Sequence, residues 1–170
     1  MIIEICSRKT AIALAAAVRE TTSVISVTST DEPDVPFPEN GSLDAVLRLR
    51  FNDLTREYDD EGLPYGRPLP MPEDFHGLRA FLDRVRGSRL IVHCWEGASR
   101  SAAVAAAVYD FRGKKDILTT HGDFAPNPRV YAFACLELGI QPGDLRYAAV
   151  PGENGLRRLE KALYTNLKLD

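Results

Sequence analysis

Three cysteines in 170 residues, Cys6, Cys94 and Cys135, are too few and too scattered for a disulfide framework. That usage fits a reducing compartment, which also suits an enzyme working with a free thiol. The three histidines, His76, His93 and His121, lack the spacing of a metal-ligand set, so no metal and no other cofactor is expected. No apolar run approaches the length of a membrane span. Thr10–Val18, after Arg8-Lys9, has the flavour of an export signal. However, Ile2–Cys6 before it reads as a first strand, and Arg19-Glu20 is a poor cleavage context, so the segment reads as a helix and the expected location is the cytoplasm. A net charge of −3 offers no basic excess for nucleic acid or for an anionic membrane, and neither is expected as a partner.

What is present is alternation of strand and helix. Val24–Thr28 and Ala45–Phe51 read as further strands, the latter with Leu47, Leu49 and Phe51 on one face. Pro33, Pro36 and Pro38 mark an ordered surface connection between them. Met71, Phe75, Leu78, Leu82 and Val85 recur at helical spacing, with Pro72, Glu73 and Asp74 suited to a first turn. Arg89–His93 is a short apolar, β-branched strand. Ser99–Phe111 is an Ala-rich helix without a breaker before Gly113, Arg129–Leu138 is a helix closed by Gly139, and Leu156, Leu159, Leu163 and Leu167 stripe a last helix. The expected fold is α/β: one domain over residues 1–170, with a central, mostly parallel sheet of four to five strands flanked by helices.

The chemistry concentrates in His93-Cys94-Trp95-Glu96-Gly97-Ala98-Ser99-Arg100-Ser101, between the Arg89–His93 strand and the Ala-rich helix. A loop at the carboxyl end of a strand is where ligands bind in open α/β sheets. Successive N–H groups of such a loop form an anion nest, reinforced by the positive end of the following helix. With a phosphate in the nest, backbone donors from Trp95, Glu96, Gly97, Ala98 and Ser99 take its oxygens. Arg100 takes two with its planar fork, a geometry lysine lacks. The same positive field favours an anionic Cys94 sulfur beneath. Ser101 is positioned to donate to that sulfur and help it depart.

This loop resembles the His-Cys-x-x-Gly-x-x-Arg-Ser loop of cysteine-dependent protein tyrosine phosphatases, in particular the compact, dual-specificity-like group that includes small bacterial and phage proteins. The resemblance implies a tyrosine-phosphatase-like fold and a phosphomonoester hydrolase acting through a phosphocysteine. Its substrate would be a phosphorylated protein or a small phosphomonoester. It implies a general acid on the loop after the strand preceding the nucleophile strand. Asp53, directly after Arg50-Phe51-Asn52, is the expected acid, with Asp59 and Asp60 as rivals. His93 is expected to steady the cysteine. Asn127, in Ala125-Pro126-Asn127 ahead of the Arg129–Leu138 helix, is expected to bond the nucleophile loop and equally to cap that helix. A glutamine common six residues later is Phe133 here. Glu96 is expected to point outward as an acidic rim, Trp95 to pack beneath the loop, and Cys6 and Cys135 to be buried. The alternatives are a non-catalytic phosphoprotein-binding module, or a phosphatase for inositol phosphates, phosphoinositides or RNA 5′-phosphates. The latter usually carry basic residues where this loop has Glu96 and Ala98.

Overall fold

The computed structural model describes residues 1–39, 41–143 and Leu145. In chain order the elements are β1 (Ile2–Ser7), α1 (Arg8–Ala17), β2 (Thr22–Thr28), β3 (Leu43–Arg50), a 3₁₀ turn (Pro72–Phe75), α2 (Leu78–Arg84), β4 (Arg89–Cys94), α3 (Arg100–Phe111), β5 (Ile117–Thr120) and α4 (Pro128–Leu138). The five strands form one sheet in the order β3-β2-β4-β1-β5, and every pairing is parallel. The expected α/β class holds, and the sheet is parallel throughout. The final leucine-striped segment falls outside the described residues. Among the described residues no helix is long and apolar enough to cross a membrane.

Parallel strands need crossovers that cover both faces, so the central strands are buried on both sides and read as continuous apolar runs. Side chains nevertheless alternate between two cores. Ile3 and Ile5 of β1 and Leu90, Val92 and Cys94 of β4 join the larger cluster with α3 and α4. Cys6 and Ile91 face the other way, with Ala11 of α1 and Val24. The helix α3 is buried without interruption from Ala102 to Val108, because small side chains let it lie close to the sheet. Ser7 caps α1 by accepting the Thr10 N–H at 3.2 Å.

Two features depart from the sequence pattern. The Met71–Val85 periodicity is split: Gly77, at φ 89°, separates the 3₁₀ turn from α2. Both pieces still bury their apolar residues (Phe75, Leu78, Phe81 and Leu82), so the spacing survives a broken backbone. The edge strand β5 is not anticipated at all. It is four residues long and follows the polar stretch Lys114-Lys115-Asp116.

The close approach of α3 makes the fold sensitive to added volume at its small residues. Ala105→Leu is expected to cost about 1–3 kcal/mol of stability, read from the urea denaturation midpoint. An unshifted midpoint would contradict the tight packing of α3.

Candidate active site

The connections out of β1 and β4 leave these neighbouring strands towards opposite faces of the sheet. The helix α1 covers one face and α3 the other. Their carboxyl ends are thus a switch point, the position where open α/β sheets take ligands. The loop Trp95–Ser99 follows β4 there.

Gly97 explains how the loop fits. It sits at φ 80°, and a Cβ there would lie 2.3 Å from the carbonyl carbon of Cys6 and 2.5 Å from the nitrogen of Ser7. The loop thus rests directly on the β1–α1 junction. Its carbonyls are tied to neighbours. The Trp95 oxygen accepts the Arg8 N–H at 3.2 Å, and the Ala98 oxygen accepts the Ala125 N–H at 2.8 Å. The Ser99 oxygen accepts the N–H groups of Ala103 at 2.9 Å and Asn127 at 3.4 Å. The Cys94 oxygen faces Nδ1 of His93 at 3.4 Å. In a trans peptide the next N–H points opposite the carbonyl. The N–H groups of Trp95, Glu96, Ser99 and Arg100 are therefore turned away from those partners. Among the described residues, the N–H groups of Trp95 to Ser99 donate to nothing. The first-turn N–H groups of α3 add further free donors beside them.

Arg100 opens α3 and is 6% exposed. Its Nη1 donates to Ser29 Oγ at 2.9 Å and to the Phe51 carbonyl at 3.1 Å. Its Nε is buried and, among the described residues, unpartnered. An orphaned buried guanidinium donor costs free energy unless an acceptor arrives. Cys94 is 3% exposed, and its sulfur lies 3.1 Å from Ser101 Oγ, as the loop pattern anticipates.

His93 alternates to the other face of β4. Its Nε2 meets Ser26 Oγ at 2.9 Å, and its ring packs edge-on to Phe37. Because a carbonyl only accepts, Nδ1 carries the proton towards the Cys94 oxygen, and Nε2 accepts from Ser26. Burial pushes the imidazole down to about 4; the nearby Arg8 and Arg100 push the same way, against the pull of the Cys94 carbonyl and Glu32. The ring is therefore neutral and fixed as a strut. Cys6 and Cys135 are buried thiols pushed up to about 12 and about 11, in both cases by burial first.

Asp53 reaches the loop. Its Oδ1 accepts Ser99 Oγ–H at 2.7 Å and Asn127 Nδ2–H at 2.9 Å. Asn127 also caps α4, accepting the N–H groups of Arg129 and Val130 at 3.0 and 3.2 Å. The helix cap expected of Asn127 is present, but its side chain donates to Asp53 and the Leu54 carbonyl rather than to the loop, which only its backbone N–H reaches, at the Ser99 oxygen. Asp59 and Asp60 are engaged elsewhere. Asp59 accepts the N–H groups of Glu61 and Leu63 within its own turn, and Asp60 pairs with Arg56. Glu96 is exposed, and Ala98 is half-buried.

Trp95 corrects the sequence reading. It does not pack beneath the loop but is 54% exposed, with the Arg8 guanidinium 5.4 Å from its ring centre. What lies against the loop at Gly97 is the Cys6-Ser7 backbone. Two participants escape the sequence reading: Ser29, which orients Arg100, and Ser26, which holds His93. Ser26 lies within β2 and Ser29 one residue beyond it, and neither stands out in the sequence. No protein-family model, curated protein or solved structure matches this chain. The site is therefore interpreted from its own geometry.

Two consequences are measurable. Gly97→Ala would force both a left-handed non-glycine and a backbone collision; it is expected to cost about 1–3 kcal/mol or more of stability, read from the urea denaturation midpoint. An unshifted midpoint would show that the loop does not need its contact with β1. His93 is neutral in the fold down to about pH 4, whereas in the unfolded chain it takes a proton at about 6.5. The unfolded state thus binds more protons between those values. Stability linked to His93 is complete above about pH 6.5 and is lost as pH falls towards 4. His93→Gln is expected to flatten the fall in denaturation midpoint across that window, and an unchanged acid slope would contradict the buried neutral ring.

Proposed function

We propose that this protein is a phosphomonoester hydrolase working through a phosphocysteine intermediate, of the protein tyrosine or dual-specificity phosphatase type. The observation that carries the reading is the run of undonated N–H groups after Cys94, joined by the orphaned Nε of Arg100. Donors of that number around one sulfur suit an oxyanion bearing several equatorial oxygens, where the charge of phosphoryl transfer is spread.

In the first step the Cys94 sulfur attacks phosphorus in line, and the bond from phosphorus to the ester oxygen breaks. Asp53 gives its proton to that oxygen, without which an alkoxide or phenolate leaves poorly. Both bonds to Asp53 use Oδ1, so Oδ2 is the oxygen left to carry the proton. In the second step water attacks the phosphocysteine, and Asp53, now a carboxylate, takes its proton. The sulfur–phosphorus bond breaks, and the Ser101 hydroxyl stabilises the departing thiolate from 3.1 Å. Ser29 and the Phe51 carbonyl hold Arg100 in place throughout. A non-catalytic binding module would need the acid displaced from the loop, and the Ser99 and Asn127 bonds to Asp53 weigh against it.

Cys94→Ser is expected to lose all turnover of phenyl phosphate while still binding inorganic phosphate; undiminished turnover would end the proposal. Asp53→Asn is expected to slow the first-turnover release of phenol from phenyl phosphate about a hundredfold or more and to slow the release of para-nitrophenol, whose oxygen leaves unprotonated, far less. Equal losses in that first step would assign the acid elsewhere.

A further inference from the structure

Trp95 is held in an exposed position beside the nucleophile. It is the chain's single tryptophan, and 54% of it is in water. A large ring of this kind normally goes to a core or an interface. Its Cα is one peptide, about 3.8 Å, from that of the nucleophile. Its carbonyl is fixed by the Arg8 N–H at 3.2 Å. The Arg8 guanidinium stands 5.4 Å from the ring centre and leans 3.9 Å from a Glu32 carboxylate oxygen. Glu32 in turn accepts the Ser29 N–H at 2.8 Å, and Ser29 accepts Arg100. The indole is therefore braced on the side facing Arg8, through a chain of contacts that ends on the phosphate-binding arginine, and it remains exposed to water.

In-line attack dictates what arrives there. The leaving oxygen lies opposite the sulfur, on the solvent side of phosphorus. Cys94 is buried, so the group carried by that oxygen leaves towards solvent, and the exposed indole belongs to the residue that follows the nucleophile. A flat ring bonded directly to the oxygen can pack against an indole face, in offset or edge-on contact. A small alkyl group offers far less area and no π face. We propose that Trp95, braced by Arg8, is the leaving-group platform of this site and selects aryl over alkyl phosphomonoesters. The proposal rests on the phosphatase reading above.

Phenylphosphonate and methylphosphonate separate the two ideas, because both present the anion without turnover. In the unaltered protein phenylphosphonate is expected to bind roughly tenfold tighter and to change the fluorescence of the single indole. Trp95→Ala should bring the two affinities together by weakening phenylphosphonate alone, and Trp95→Phe should restore most of the difference. If Trp95→Ala keeps the full preference, the platform is wrong and the anion cradle stands. If it weakens both ligands equally, Trp95 serves only the shape of the loop, and the platform is again wrong. If the unaltered protein binds neither phosphonate, the cradle itself fails and takes the platform with it.

Discussion

The site depends on where a few carbonyl oxygens point. A loop of five residues between a strand and a helix has no ladder to satisfy its peptide groups, and left free its dipoles would be averaged by water. Here the oxygens of Trp95, Ala98 and Ser99 are each claimed by an N–H from elsewhere: the start of α1, the segment before α4, and α3 itself. Planar trans peptides convert those outward ties into N–H groups facing the other way. The proposed anion cradle thus rests on the backbone, with side chains adding to it. Electrostatic preorganisation of this kind is worth most in a site where water is scarce and the donors need not reorganise.

The ties also explain why the whole fold contributes to one small loop. The β1–α1 junction supplies the surface against which Gly97 is pressed. The edge of β3 leads into Phe51, whose carbonyl holds Arg100, and into Asp53 two residues later. The end of β2 leads into Ser29, the other partner of Arg100. The segment ahead of α4 brings Ala125 and Asn127. Only a parallel sheet places so many strand ends on one side, because every strand delivers its carboxyl end to the same edge. Asn127 joins stability to chemistry most directly, since one side chain caps a helix and orients a carboxylate.

Much of this could be read from residues alone. Strands β1 and β4 announce themselves as short apolar runs, and α3 as an unbroken Ala-rich stretch. The grouping of Cys94, Arg100 and Ser101 follows from their spacing in one loop. Asp53 is separable from Asp59 and Asp60 in the sequence only as the residue nearest a strand end; in the fold it alone of the three bonds Ser99 and Asn127 among the described residues. The misses share a cause. Apolar periodicity records which side chains are buried and is blind to the backbone between them, so the break at Gly77 left no trace in it. The strand β5 takes its pairing from β1, a non-local partner, and its own four residues are ambiguous. Trp95 escapes the pattern because composition favours buried indoles, whereas the loop is pressed at Gly97 against backbone from a segment distant in sequence, which no local pattern records. Ser26 and Ser29 are ordinary serines until the sheet order sets them beside His93 and Arg100.

The amide spectrum of the isotopically labelled protein, titrated with inorganic phosphate, tests the cradle most directly. The N–H signals of Trp95 to Arg100, together with the side-chain Nε–H of Arg100, are expected to move downfield as one saturable set, in step with a single bound anion. Phosphate that leaves those signals in place, or that moves a different set of amides, would contradict a backbone built to hold an oxyanion above Cys94.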